Sequence, residues 1–394
     1  MGFAVTDVQR DLIDNVRRFV RTEIVPLEFE LDPDEGELSP DVLAGLVVKT
    51  KQMGLYNIDV PEEFGGAGLD IVTRTLLAME MSQHRAGLYA PCYAAFGQPD
   101  MGQLYDGTEE QKERYLYPVL RGEKKSFFAL TEPSGGSDPA RSIQTRAKRD
   151  GSDWIINGSK TFISGADTAD FGLVFARTGD QGSGRDGITC FIVDADTPGF
   201  SVRRVIHTLR SGHYPTELSF DDVRVPASAV LGEVGQGFSL ATERLTKNRI
   251  PYAAGCLGVA MMAHRMAVEY AGTRSVFGAK LADHEGIQWM LVDSEIDLRS
   301  AALITLDAAE RADSGKPFRT EVAMAKIVAT EAAGRVVDRA IQIHGGYGVT
   351  KDLPLERWYR ELRIRRIGEG STETQKMIIS RDMLRGRYTG LLDR

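Results

Sequence analysis

This 394-residue chain contains very little that could cross-link it or hold a metal. Its three cysteines, Cys92, Cys190 and Cys256, are odd in number and far apart. No disulfide framework or thiolate metal site is indicated, and a reducing compartment, the cytoplasm, is expected. The six histidines show no ligand spacing, and His284-Glu285 lacks the second histidine of a zinc-binding HExxH. None of them accompanies a Ser or Cys nucleophile motif. A positive balance is also missing: 48 Lys and Arg stand against 56 Asp and Glu, a net charge of −8, which argues against a general nucleic-acid binder. The longest apolar run, Ile250 to Ala263, is too short for a bilayer core of about 30 Å and reads as a buried helix. Residues 1–26 carry Asp7, Asp11, Asp14 and Glu23, unlike a signal or transit peptide. Met1-Gly2-Phe3-Ala4-Val5-Thr6 fits the loose myristoylation pattern. No polybasic patch or second lipid signal follows, and one acyl chain anchors weakly, so the match reads as coincidence and no membrane partner is expected.

What is present is ordinary globular composition, 42% hydrophobic and 26% charged, enough at roughly 150 residues per domain for two or three domains. Val8, Leu12, Ile13, Val16, Phe19 and Val20 recur at helical spacing. Helical patterns follow at Pro40–Met53, Val72–His84 and Glu109–Leu120, with a glycine-rich loop at residues 61–68. Near Glu123 the character changes to short β-branched and aromatic runs at 126–131, 143–148, 153–157, 171–177 and 187–193, separated by Gly, Asp and Ser. This is the pattern of an antiparallel β domain ending near Val225-Pro226. From Gly235 helical periodicity returns, with turns marked by Gly272, Gly278 and Gly315-Lys316-Pro317, which suggests a helical bundle. The expected division is an N-terminal helical domain at 1–122, a β domain at 123–234 and a C-terminal bundle at 235–394.

One glycine motif misleads. Gly182-Ser183-Gly184-Arg185-Asp186-Gly187 fits GxGxxG, but a strand follows it where a dinucleotide fingerprint needs a helix, so it reads as a hairpin loop. Four other segments are less ordinary. In Thr131-Glu132-Pro133-Ser134-Gly135-Gly136-Ser137-Asp138 a strand runs into small and hydroxylated residues. This is either a tight turn or a loop whose N–H groups can approach a flat or anionic ligand. The others are Gly158-Ser159-Lys160-Thr161-Phe162-Ile163-Ser164, Arg274-Ser275-Val276-Phe277-Gly278, and two glycine clusters, Gln342-Ile343-His344-Gly345-Gly346-Tyr347-Gly348 and Gly368-Glu369-Gly370-Ser371-Thr372-Glu373. Such clusters interrupt a helical domain at about 1 kcal/mol per glycine relative to alanine, so a reason for them is expected.

In their order, these segments resemble the acyl-CoA dehydrogenase family, FAD flavoenzymes that oxidise the α,β bond of acyl-CoA thioesters. The resemblance covers essentially the whole chain, through PEEFGGAG, TEPSGGSD, a strand with GSKTFIS, RSVFG, QIHGGYG and GEGSTETQ. It implies an α+β multidomain fold with an N-terminal helical domain, a central antiparallel β domain and a C-terminal four-helix-bundle-like domain. It also implies that Thr131, Ser137, Phe162, Ile163 and Ser164 contact FAD, with Ser137 also on the CoA side. Arg274, Phe277, Gln342, Gly345 and Gly346 are implied to reach the FAD of a neighbouring subunit, making the protein a homo-oligomer, dimer or tetramer. Ser371 and Glu373 join the cofactor set, and Arg249 and Gly370 the substrate set. An electron-transfer flavoprotein is the implied electron acceptor. Phe162 departs from the usual Trp, and Glu285 from a frequent Gln.

The reaction needs a base for the α-proton and an acceptor for the β-hydride. One family branch carries its glutamate in a loop matched here by Gly368-Glu369-Gly370-Ser371. Another carries it on a helix directly before the arginine matched by Arg249, where this chain has Asn248. Glu369 is therefore the expected base, and Glu243, six residues before Arg249, its decoy. The competing reading of Glu369 is an acidic residue at a helix start. By resemblance, the Glu369 N–H helps polarise the thioester carbonyl. Gly368, where the family often has Tyr, suggests a wider acyl cavity. Arg357, Arg360, Arg363, Arg365 and Arg366 crowd the preceding stretch, either as a face paired with Glu356 and Glu361 or as phosphate contacts. The rival functions are an acyl-CoA oxidase or other flavin-dependent relative, and a non-catalytic scaffold.

Overall fold

The computed structural model describes residues 4–99, 101–179 and 184–388. The chain divides into two compact units, one spanning Met1–Glu63, Ala67–Phe96 and Thr246–Arg394, the other Phe64–Gly66 and Gly97–Leu245. The start of the myristoylation-like match, residues 1–3, lies outside the described residues, as do Gly182 and Ser183. Gly184–Gly187 is a single 3₁₀ turn followed by a strand. No helix among the described residues is long and apolar enough to cross a membrane.

In the first unit, helix Asp7–Phe19 opens on a reciprocal cap, with Thr6 Oγ1 accepting from Gln9 N at 3.2 Å and Gln9 Oε1 from Thr6 N at 3.1 Å. Its apolar stripe buries Val16 and Phe19 but leaves Val8 exposed near its start. Helices Pro40–Gln52 and Ile71–Met81 follow, the latter capped by Asp70, which accepts from Thr73 N at 2.6 Å. Three long helices, Gly237–Thr273, Glu285–Asp313 and Arg319–His344, carry the C-terminal part. The first continues through Pro251, a residue that costs a helix interior about 3 kcal/mol. Burial outweighs that cost, since Ala253, Ala254, Leu257, Ala260 and Ala263 pack with Leu298, Ala329, Ala333, Val336 and Trp358 in one core. Helices Leu355–Arg365 and Thr372–Leu384 complete the unit.

A buried polar cluster lies near the N-terminus. The buried Glu28 carboxylate accepts from His84 Nδ1 and Tyr93 Oη, both at 2.8 Å, and from the backbone N–H groups of Arg85 and Ala86 at 2.8 and 2.9 Å. Cys92 N donates to His84 Nε2 at 2.9 Å, which fixes the tautomer that donates to Glu28. These bonds hold Cys92, Tyr93 and Ala94 in three successive left-handed conformations, φ 45°, 52° and 62°.

The second unit is a twisted eight-stranded sheet. Its strands are β1 Ser126–Ala129, β2 Arg146–Asp150, β3 Asp153–Ser164, β4 Phe171–Arg177, β5 Ile188–Asp194, β6 Phe200–Val205, β7 Pro215–Val225 and β8 Val230–Leu231. The order is β6-β7-β3-β2-β4-β5-β8, with β1 beside β4. Most pairings are antiparallel, as the short alternating runs imply, but β1 and β2 both meet β4 in parallel. β4 is buried along its whole length, which explains its unbroken apolar run. β3 extends seven residues past Asn157, where Gly158 reads as a stop; it bulges between Ile156 and Gly158 and again between Lys160 and Ile163.

Burial pushes the Glu28 carboxyl up, but the facing His84 and the hydrogen bonds outweigh it and leave it at about 2. A carboxyl lowered on folding stabilises the native state above its unfolded value and loses that contribution as pH falls through its folded value. Replacing Glu28 by Gln is expected to cost about 3 kcal/mol at pH 7. Urea unfolding of both proteins as a function of pH should show this gap constant above about pH 5 and vanishing towards pH 2.

Candidate active site

Within the β unit, the loop after β1 is fastened from inside. Glu132 is buried and accepts from Gln144 N at 2.6 Å, Thr145 N at 3.0 Å and Lys160 Nζ at 2.8 Å. Lys160, fully buried in β3, also donates to Leu130 O and Phe175 O. Burial drives each charge towards neutrality, and each partner opposes it; Glu132 ends below its usual range and so does Lys160. With Thr161 N donating to Thr131 O at 3.0 Å, this pair fixes residues 131–138 against β3. Thr131 is half-buried and Ser137 exposed.

The bulge between Lys160 and Ile163 turns Phe162 outward, 61% exposed at φ 57°. Ser164 is also exposed, and its Oγ accepts from Nη1 of the buried Arg210 at 3.2 Å. Ile163 differs from its expected place. Its side chain is packed in the sheet core with Trp154, Phe191 and Leu218, because strand alternation turns it inward between Phe162 and Ser164. Only its backbone remains for a ligand, and its carbonyl already accepts from Thr216 Oγ1.

Within the helical unit, Glu369 sits in the connection between helices Leu355–Arg365 and Thr372–Leu384, at φ 56° with Gly370 at φ 89°. Its carbonyl accepts from Arg249 Nε at 2.9 Å and Gln375 Nε2 at 3.2 Å, and Gln375 also donates to Gly370 O. Both donors are buried. The connection is clasped at its two ends: Arg366 Nε pairs with Glu331 at 2.8 Å, Thr372 Oγ1 donates to Glu331 at 2.9 Å, Thr372 N donates to Arg366 O, and Lys326 Nζ donates to the same carbonyl. The carboxylate itself stays unspent, since Glu369 Oε2 is buried with no hydrogen-bond partner among the described residues. Glu243 is exposed, and its six-residue offset puts it on a different side of its helix from Arg249. Ser371, expected to touch cofactor, caps the last helix by accepting from Thr374 N, and Glu373 is exposed in that helix's first turn.

The wider cavity expected at Gly368 is not simply open. A Cβ there would lie 2.6 Å from the hydroxyl of Tyr252, so an aromatic ring from another helix occupies the space beside Gly368. The arginine run is mostly paired, with Arg357 on Glu361, Arg360 on Glu356 and Asp34, and Arg366 on Glu331.

A third cluster lies at one end of the bundle, where Tyr270 stacks on His344 at 4.5 Å. One turn on, Ser275–Lys280 forms a two-residue hairpin whose central residues, Phe277 and Gly278, have φ 49° and 81°. This is the type I′ turn that suits a twisted hairpin, and it leaves Phe277 entirely exposed. Arg274, Gln342, Gly345 and Gly346 are exposed beside it or at the helix end. Glu285, exposed, starts helix Glu285–Asp313.

Comparison with known proteins places this geometry. Residues 6–123, 127–223 and 235–384 match the N-terminal, middle and C-terminal domain models of acyl-CoA dehydrogenase. The chain is 39% identical to 3-(aryl)acrylate reductase of Clostridium sporogenes, over 96% of this chain and 99% of that one. It is 38% identical to human mitochondrial short-chain specific acyl-CoA dehydrogenase, over 95% and 89%. Butyryl-CoA dehydrogenase from Megasphaera elsdenii superposes with a TM-score of 0.86 at 33% identity, covering 98% of this chain and all of that one. The chain belongs to the acyl-CoA dehydrogenase family, FAD-dependent oxidoreductases acting on CH–CH bonds.

The β-unit surface fits such a cofactor. A phenyl ring pushed out on a bulge gives an aromatic ring system a flat apolar face, with exposed Ser164 two residues on and exposed Ser137 in the loop after β1. Sequence reasoning marked these residues but missed the buried Glu132–Lys160 pair. Lys160 stands between Ser159 and Thr161, so its immediate neighbours gave no sign that it was buried.

Replacing Lys160 by Met strands the Glu132 carboxylate, and losing one partner of a buried pair costs about 3–5 kcal/mol. Urea unfolding should show that loss together with flavin released on gel filtration. Combining Lys160→Met with Glu132→Gln should recover part of it.

Proposed function

We propose that this protein dehydrogenates the α,β bond of an acyl-CoA thioester to the trans-2-enoyl-CoA, with Glu369 as the base. The observation that carries this reading is the Glu369 backbone, held in a left-handed conformation by two donors on its carbonyl while the carboxylate keeps an unpartnered oxygen.

FAD, when bound, supplies the acceptor for the hydride that leaves the β-carbon. Thr131, Ser137, Phe162 and Ser164 would hold it from the β unit, with Ile163 contributing backbone alone. The α C–H bond breaks towards Glu369, whose carboxylate takes the proton. The Glu369 N–H donates to the thioester carbonyl, where one preorganised donor is worth about 3 kcal/mol as negative charge develops. Arg249 and Gln375 fix that N–H because they grip the carbonyl of the same residue, so Arg249 acts on the substrate side through position. Gly370 and Ser371 let the chain turn back into a helix immediately after the base.

Arg274, Phe277, Gln342, Gly345, Gly346 and Glu373 are assigned to FAD contacts, the first five towards a neighbouring subunit's cofactor. The helix Glu285–Asp313 supports self-association, since Trp289, Val292, Ile296 and Leu303 recur on one exposed side. The reading includes a dimer or tetramer, an electron-transfer flavoprotein as acceptor, a cytoplasmic location, and domains at 1–122, 123–234 and 235–394, the last supported by the bounds of the three family matches.

Anaerobic addition of acyl-CoA should bleach the yellow holoprotein. Glu369→Gln should slow that bleaching by about 10²–10⁴-fold, the usual contribution of a positioned base, while thioester binding still perturbs the flavin spectrum. Full-rate bleaching in this variant would remove Glu369 from the mechanism, and peroxide formed without an added acceptor would mark an oxidase. Trp289→Asp should shift the protein to smaller species in light scattering and lower its flavin content; an unchanged mass would refute the helix as an assembly surface.

A further inference from the structure

Arg365 is the exception among the buried arginines. Arg177 is 3% exposed and donates to three backbone carbonyls, those of Ala140, Ile143 and Gly184. Arg357, 2% exposed, pairs with Glu361 and donates to Pro33 O and Glu35 O. Arg249 and Arg210 each donate to an oxygen within their own unit. Arg365 is 8% exposed, yet its guanidinium makes no hydrogen bond or ion pair among the described residues, and its Nε is buried without a partner. It lies between the faces of Tyr89 and Tyr252, 4.2 Å from each ring centroid. Stacking of this kind is attractive, but it leaves the five N–H donors of a guanidinium unused. An unpaired buried charge is costly, and buried charges are otherwise paired. Glu361, one turn earlier on the same helix, is engaged by Arg357 at 3.1 Å.

Arg365 is also joined to the base loop. Tyr252, whose ring it covers, reaches Gly368 with its hydroxyl and donates to the Arg365 carbonyl at 3.3 Å. Arg249, which grips Glu369, lies one turn before Tyr252 on the same helix, and Cys256 one turn after it. Buried positive charge therefore exceeds negative charge around the base. Arg249, Lys326 and Arg365 stand with Glu369, while Glu331 is occupied by Arg366 and Thr372. Burial pushes the Lys326 ammonium down to about 8, with Arg249 adding to that and Cys256, Glu331 and Glu369 opposing it.

We propose that Arg365 receives a carboxylate carried at the far end of the acyl chain, so that the preferred substrate is the CoA thioester of a dicarboxylic acid. This rests on the acyl-CoA dehydrogenase reading and narrows its substrate class. The missing partner of the guanidinium is then a substrate oxygen pair, which a planar fork binds in bidentate fashion. Tyr89 and Tyr252 hold the fork flat, and the uncharged middle of the acyl chain spans the distance to the α-carbon at Glu369.

The test is anaerobic flavin reduction in the holoenzyme by thioesters matched in length, succinyl-CoA against butyryl-CoA, glutaryl-CoA against pentanoyl-CoA and adipyl-CoA against hexanoyl-CoA. In the unmodified enzyme kcat/KM should favour the carboxylate-ended member at least tenfold at one length. Arg365→Gln and Arg365→Met should lower that ratio by about 10–100-fold, and Arg365→Lys should retain part of it. Preference for the methyl-ended member at every length would overturn the proposal without any variant being made. So would a ratio that Arg365→Gln leaves unmoved because both members fall equally, the result expected if the guanidinium held the phosphates common to all CoA esters. Failure of every thioester to reduce the flavin would instead reject the dehydrogenase reading itself.

Discussion

In the proposed mechanism everything depends on one backbone carbonyl being gripped. Glu369 has to stand in the left-handed region, which costs a side-chain-bearing residue about 1–3 kcal/mol. The buried Arg249 and Gln375 hold it there by donating to its carbonyl oxygen. Glu331 and Lys326, on a third helix, fasten the two ends of the same connection. None of these four hydrogen-bonds the carboxylate, so they fix the backbone of the proposed base while leaving its side chain available. The same economy appears in the β unit, where Glu132 and Lys160 spend their charges on each other and on backbone, while Ser137 and Ser164 stay exposed.

Strained backbone coincides with the proposed site residues. Nine described residues other than glycine have positive φ, and Phe162, Phe277 and Glu369 are among them. Each is a residue that the family resemblance assigns to cofactor or substrate. At Phe162 a bulge does the turning, at Phe277 a two-residue hairpin, and at Glu369 a clasped interhelical connection. Three local devices thus lift a side chain out of the packing that regular structure would impose.

The order of helical, β and helical segments was legible because hydrophobic period changes from helical to alternating and back, and glycine and proline mark the turns. The parallel pairing of β1 and β2 with β4 was not, because pairing direction depends on how connections cross a sheet and leaves no local trace. Strand β3 was cut short at Asn157-Gly158, since that pair ordinarily ends a strand and here sits at a bulge within one. The candidate site was legible as ordered motifs, and Glu369 followed from them. The inward turn of Ile163 required strand register, and the isolation of Arg365 within a run of five arginines required knowing which of its neighbours had already found a carboxylate. Tyr252 came from a helix distant in sequence, so nothing near Gly368 announced that its space was taken.

Phe277 stands wholly in solvent on a two-residue turn, with Arg274 beside it in sequence. If that turn closes a neighbour's cofactor site, a lone protomer lacks part of its own, and mass action governs how many complete sites exist. Specific activity would then fall on dilution with no residue altered, and a change at the hairpin would be felt in the subunit next door before the one that carries it.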